Sequence, residues 1–303
     1  MVAPPRLARF RELLQLGSDD EITADFTGWS KLVLLTADRA VLFPRDHTQV
    51  EPLRREIVAL EAISRLDVPA VPRLHAVWED PGLSAHPVVV LDRLPGIPLA
   101  AIVERLPVDL LADLFAELGR LAARWHDVDP ALVPTLPRRD ALADRTTLAD
   151  ELGLDARQAR AAADALARAR ELQPVLVHGD LHEGQLLVDP QPPHRLTGIL
   201  DWQTARVDHP FVEFDLGEWG TALWRGHRAD FPDLRRRAWD AYARERGLPD
   251  DLGPVFEWHH ACAHARKRLG IDAFPVEHGP DIVGTVADAR DQVFAALASI
   301  EAP

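Results

Sequence analysis

The chain has 303 residues, 47% of them hydrophobic, a size that fits one large domain or two lobes. A formal net charge of −14 argues against nucleic acid as a partner and is compatible with a cationic small substrate. The single cysteine, Cys262, excludes an internal disulfide and a cysteine zinc cluster and suggests a reducing cytoplasm, while no stretch reads as a signal peptide or a membrane span.

In chain order, residues 6–16 read as a short leading helix with Leu7, Phe10 and Leu14 on one side. Residues 21–27, 31–36 and 39–43 read as strands, with Gly28 and the Ala37-Asp38 pair marking the turns. Val50, Leu53, Ile57, Leu60 and Ser64 recur at helical spacing, which predicts an amphipathic helix over 48–66, ended by Pro69 and Pro72. Residues 73–78 and 87–92 are further strands. Leu94-Pro95-Gly96 then breaks the pattern.

Beyond Leu99 the chain reads mostly as helix. Leu110, Leu114, Leu118, Leu121 and Trp125 define one long helical face, and 156–172 is an Ala- and Arg-rich helix. Three short apolar strands follow at 175–177, 186–188 and 196–200, and four closing helices are expected at 211–224, 230–246, 251–269 and 281–300. The expected fold is α+β and two-lobed: a small β-rich lobe over 1–93 and a larger helical lobe over 94–303, with a ligand cleft between them.

The chemistry concentrates in Val177-His178-Gly179-Asp180-Leu181-His182-Glu183-Gly184-Gln185 and in Ile199-Leu200-Asp201-Trp202. An apolar strand leads into a tight turn carrying Asp180, a carboxamide follows at Gln185, and Asp201 arrives at the end of another apolar strand. This is the order of a phosphoryl-transfer loop: a base, a metal-binding amide, then a metal-binding carboxylate. A hydroxyl nucleophile needs an acceptor for its proton, which Asp180 supplies. Magnesium prefers hard oxygen ligands, which Gln185 and Asp201 supply.

The segment from Val175 to Glu213 resembles the aminoglycoside phosphotransferase family, within the kinase-like superfamily that also holds choline kinases and macrolide phosphotransferases. The matching words are HGDLHEGQLLVD, LTGILDW and ARVDHPFVEFD. GWSKLVLL, AVLFPR, LRREIVALEAI and VVVLDRLPGIPL extend the likeness over most of the chain, and the last eighty or so residues match only as generic helices. The resemblance implies a protein-kinase-like fold and an ATP- or GTP-dependent O-phosphotransferase with Mg2+. The acceptor it implies is a small-molecule hydroxyl, foremost an antibiotic (aminoglycoside or macrolide). A metabolic alcohol and a non-catalytic nucleotide-binding relative are the alternatives.

By the same resemblance Asp180 is the catalytic base, and Gln185 and Asp201 are the metal ligands. Gly28 and Ser30 belong to the turn that covers the phosphates. Glu56 is the helix acid that pairs with a strand lysine. The backbone of Val90, Leu91, Asp92 and Arg93 meets the base edge. His178 braces the loop, and the acid at Glu213 is structural. Glu257 and Trp258 are candidates for the acceptor pocket.

Two positions depart from the family pattern. Gln185 stands where asparagine is usual, in a chain with no asparagine at all, and it retains the amide oxygen. Leu42 stands where the phosphate-pairing lysine is expected. Lys31, Arg39 and Arg45 are the nearby cations, and an arginine is the favoured replacement because its fork suits phosphate. The helix run with His259, His260 and His264 lacks the glutamate of a zinc-protease motif, and neither a P-loop nor a G-x-S-x-G elbow occurs.

Overall fold

A computed structural model describes residues 4–25, 28, 30–143, 152–215, 231–268 and 286–301. Five antiparallel strands form the first layer: β1 (Thr23–Asp25), β2 (Lys31–Leu35), β3 (Arg39–Pro44), β4 (Leu74–Trp78) and β5 (Val88–Asp92), in the order β1-β2-β3-β5-β4. Alternation along the strands divides the side chains between two faces. Leu34, Val41, Val88 and Val90 point to one face and pack with Phe10 of α1 (Pro4–Leu13). Val33, Leu42, Val89 and Leu91 point to the other face, which is covered by Leu53, Ala59, Leu60 and Ile63 of α2 (Val50–Ile63).

The ends of these elements have local causes. The leading helix stops at Leu13 rather than at residue 16, because Gln15 takes a left-handed φ of 57° and the Leu16 N–H turns back to the Arg11 carbonyl. The helix expected over 48–66 is α2 flanked by 3-10 turns, His47–Gln49 before it and Ser64–Leu66 after it, with left-handed Asp67 closing the second. β1 is shorter than the expected strand, and residues 26 and 27 lie outside the described set.

After β6 (Ile97–Pro98) comes α3 (Val108–Trp125), whose Leu111, Leu114, Phe115, Leu118, Leu121 and Trp125 are buried as the helical spacing predicts. Next is α4 (Ala156–Ala169), opened by a capping box between Asp155 and Gln158. β7 (Val175–Val177) pairs with β10 (Arg206–Asp208), and β8 (Leu186–Val188) lies between β6 and β9 (Leu196–Ile199). These short ladders hold the two chemical loops: 178–185 leaves β7 and enters β8, and Leu200 and Asp201 leave β9.

The closing helices are α5 (Phe231–Glu245), α6 (Leu252–Arg268) and α7 (Val286–Glu301). Where a helix over 211–224 was expected, the described residues form a 3-10 stretch, Pro210–Asp215, that buries Phe211 and Phe214; residues 216–230 are outside the described set. Gly119 lets α3 approach α5 until a Cβ at that position would overlap the Ala238 carbonyl oxygen. One apolar core runs from Leu42 and α2 through α3 and Trp202 to Phe256 and Leu297, so sheet and helices share a single interior.

Candidate active site

β7 delivers the first loop and the turn at Gly179 aims it. Gly179 has φ +86°, and a Cβ there would press to 2.8 Å from the Thr204 carbonyl oxygen and overlap the Arg206 guanidinium. Thr204 Oγ1 donates to the His178 carbonyl at 2.9 Å, and Arg206 Nη1 donates to the Gly179 carbonyl at 3.2 Å. The buried His178 ring joins the two loops. Its Nε2–H donates to the Leu200 carbonyl at 2.8 Å, and its Nδ1 accepts the Asp180 N–H at 3.4 Å, a tautomer assigned from these partners. Burial pushes the His178 imidazole below its ordinary value, which favours this neutral form.

Five side chains form a continuous line. Glu56 Oε2 lies 2.6 Å from Lys31 Nζ, and Lys31 Nζ lies 2.6 Å from Asp201 Oδ1. Gln185 Nε2 then lies 3.5 Å from both Asp201 Oδ2 and Asp180 Oδ2. Glu56 makes a second tie across the molecule, where its Oε1 accepts the Trp202 N–H at 3.3 Å. The two acids singled out in the sequence therefore converge on one amide nitrogen.

Burial is graded along this line. Glu56 is 1% exposed and Gln185 7%, whereas Asp180 is open to solvent. Partial burial pushes the Asp180 carboxyl up; His182 and the Gln185 hydrogen bond oppose the shift and Asp201 adds to it. Burial alone would lower the Lys31 pKa, but Glu56 and Asp201 reverse this and hold it above the ordinary lysine value. The ammonium is thus fully charged between two carboxylates. Asp201 has a left-handed φ of +67°, a strained conformation for a residue other than glycine.

The donor set suits magnesium. Gln185 Oε1 is buried without a hydrogen-bond partner, and turning the amide over directs this oxygen at the two carboxylates. Among the described residues no cluster of three or more His, Cys, Asp or Glu is arranged to hold a metal.

The other expected residues fall as follows. Gly28 and Ser30 precede Lys31, in a turn that Arg45 pins through its N–H to the Ser30 carbonyl (3.0 Å) and its Nε to the Gly28 carbonyl (2.8 Å). Val90 and Leu91 lie in β5, which is paired on both sides. The N–H of Asp92 donates to Arg73 and that of Arg93 to Asp38, so those two donors are committed within the sheet. Glu257 faces Arg235 at 3.6 Å, while Trp258, 1% exposed, is packed in the helical core rather than on an open surface. His259 and His260 are core residues as well, against Phe211 and Phe256, and the His264 side chain lies outside the described set.

The expectation was that an arginine takes the place of the missing strand lysine; the cation that meets Glu56 is Lys31. Arg39 is held by Asp38 at 2.8 Å and Arg45 by the Gly28 turn, whereas Lys31 meets Glu56. The sequence carried a signal for this: Lys31 is one of two lysines among 34 basic residues. A second group of buried side chains centres on Glu213. The buried Glu213 carboxylate accepts from Trp125 Nε1 (3.0 Å), from His126 Nε2 (2.9 Å) and from the His178 N–H (3.0 Å), while His126 Nδ1 meets the Tyr242 hydroxyl at 3.0 Å. Trp125 and His126 lie 88 and 87 residues from Glu213, and His126 lies 116 from Tyr242, so no local pattern marks them.

Known structures share this fold. The chain is similar over 98% of its length to the GDP complex of wild-type aminoglycoside 2'-phosphotransferase-IIIa, with 16% identity, 99% of that chain covered and a TM-score of 0.55. It is similar over 98% of its length to ADP-bound aminoglycoside phosphotransferase APH(2'')-Ib, with 12% identity, 97% of that chain covered and a TM-score of 0.60. It is also similar over 98% of its length to macrolide 2'-phosphotransferase MphH from Brachybacterium faecium, with 19% identity, 98% of that chain covered and a TM-score of 0.58. These likenesses establish the kinase-like α+β fold. A search of curated proteins returned no match. Residues 22–258 match the model of the APH phosphotransferase enzyme family, and the chain belongs to that family.

Proposed function

We propose that the protein is a nucleoside-triphosphate-dependent O-phosphotransferase acting on a hydroxyl of a small molecule, with an aminoglycoside or macrolide antibiotic as the leading acceptor class. The single observation that carries this reading is the Gln185 amide, 3.5 Å from both Asp180 and Asp201. It joins an accessible base to a half-buried carboxylate in a hard-oxygen site. The names of the similar structures, aminoglycoside and macrolide phosphotransferases among them, favour the antibiotic class.

In this reading the triphosphate of ATP or GTP lies beneath the Gly28–Ser30 turn, between the sheet and the helical part, with the chain dividing near Arg93. Asp180 accepts the proton of the acceptor hydroxyl and orients its oxygen toward the terminal phosphorus. Gln185 and Asp201 would hold Mg2+, which when bound neutralises phosphate charge. His178 and Gly179 fix the loop so that Asp180 need not reorganise, and catalysis is chiefly positioning.

A coupled assay of ADP or GDP release, run with aminoglycosides, macrolides and simple sugar or amino alcohols, tests the reading and selects the acceptor. Acceptor-dependent release is expected in wild type. Release no faster with any hydroxyl acceptor than without one would end the proposal.

A further inference from the structure

We propose that the phosphate-pairing cation of this protein is Lys31, carried on β2, and not a side chain of β3; this deepens the phosphotransferase reading above and rests on it. Residues directly opposite in an antiparallel pair share a face of the sheet. Lys31 lies opposite Pro44 and Val33 opposite Leu42, so Lys31 and Leu42 project to the same side, the side on which α2 presents Glu56. Leu42 is buried in the core that α2 shares and brings no charge. Lys31 enters from the neighbouring strand, two positions along, and fills the electrostatic vacancy.

The geometry matches the task. An ammonium has three donors. Two are directed at Glu56 and Asp201, at 2.6 Å each, which leaves one for a phosphate oxygen. The nearby arginines are engaged elsewhere, Arg39 with Asp38 and Arg45 with the Gly28 carbonyl.

The test measures binding without turnover. Wild type and Lys31→Met are titrated with ATP and GTP in the presence of Mg2+ and no acceptor, and separately with adenosine and guanosine. Loss of a charge-assisted contact to phosphate predicts triphosphate affinity at least about tenfold weaker, with nucleoside affinity unchanged. Because Lys31→Met leaves Glu56 buried and uncompensated, Lys31→Met/Glu56→Gln is measured alongside it and carries the same expectation in a background without that charge. Triphosphate affinity equal to wild type in a folded variant overturns the assignment. A parallel loss for triphosphate and nucleoside also overturns it, since that marks a structural ion pair. A wild-type protein that binds no triphosphate instead defeats the phosphotransferase reading on which the assignment rests.

Discussion

The Glu213 carboxylate accepts the backbone N–H of His178 at 3.0 Å, although the two residues are 35 positions apart. This bond attaches the loop that carries Asp180 to the helical core, because the same carboxylate also receives Trp125 of α3 and His126 at its end. Burial would raise the Glu213 pKa, but its neighbours, the hydrogen bond from His126 foremost, reverse this and hold it below its ordinary value, so the group stays ionised.

Glu213→Gln places an amide where three donors converge, and it leaves at least one of them without an acceptor. The expected cost is on the order of 3 kcal/mol, read as a lower urea midpoint at unchanged slope. Turnover should fall as well, because the loop loses its tie to the core. Unchanged stability would show that the network does not brace the fold.

Asp180→Ala should separate chemistry from folding. The side chain is exposed and among the described residues its side-chain hydrogen-bond partner is Gln185 at a long 3.5 Å, so the urea midpoint should stay near that of wild type. Turnover should fall by roughly 10²- to 10⁴-fold, the usual contribution of a general base, with triphosphate affinity retained. Near-normal turnover would discard Asp180 as the base.

His126 gives stability a pH dependence. Burial depresses its pKa below the ordinary 6.5, so the folded protein holds it neutral while the unfolded chain protonates readily below that value. Stability from neutral His126 is complete above pH 6.5 and declines as pH falls toward the depressed folded-state value, by up to about 1.4 kcal/mol per pH unit. Glu213, also depressed, adds a second loss below its ordinary 4.5. Urea midpoints measured between pH 8 and pH 4 should be flat at the top and fall below about 6.5; a profile flat throughout would contradict the neutral buried histidine.

Gly119→Ala should destabilise the protein despite favouring helix. The substitution contributes up to about 1 kcal/mol in helix propensity. Against this, the new methyl overlaps the Ala238 carbonyl oxygen, which is backbone and cannot rotate away, and overpacking of this kind costs about 1–3 kcal/mol. A thermal midpoint above wild type would mean that α3 and α5 separate freely.

Much of the site was legible along the chain because its parts are local. Asp180 and Gln185 share one loop, the apolar runs on each side of it form β7 and β8, and Asp201 follows β9 at once. The turns were legible for the same reason, as at Gly179, whose left-handed φ only glycine takes without strain. The end of α1 was less so, since nothing in Gln15 announces a left-handed residue.

What sequence alone determined is therefore the chemistry: which acids, in which order, on which short strands, since residue type and spacing within a loop are properties of the chain itself. Tertiary structure decided which cation lies between them. Lys31, Arg39 and Arg45 lie within fifteen residues of one another. Only pairing of β2 against β3, and the packing of α2 over one face, places Lys31 rather than an arginine between Glu56 and Asp201, 25 and 170 positions away. Coulomb attraction depends on distance through space, and distance through space between remote residues is set by register and packing.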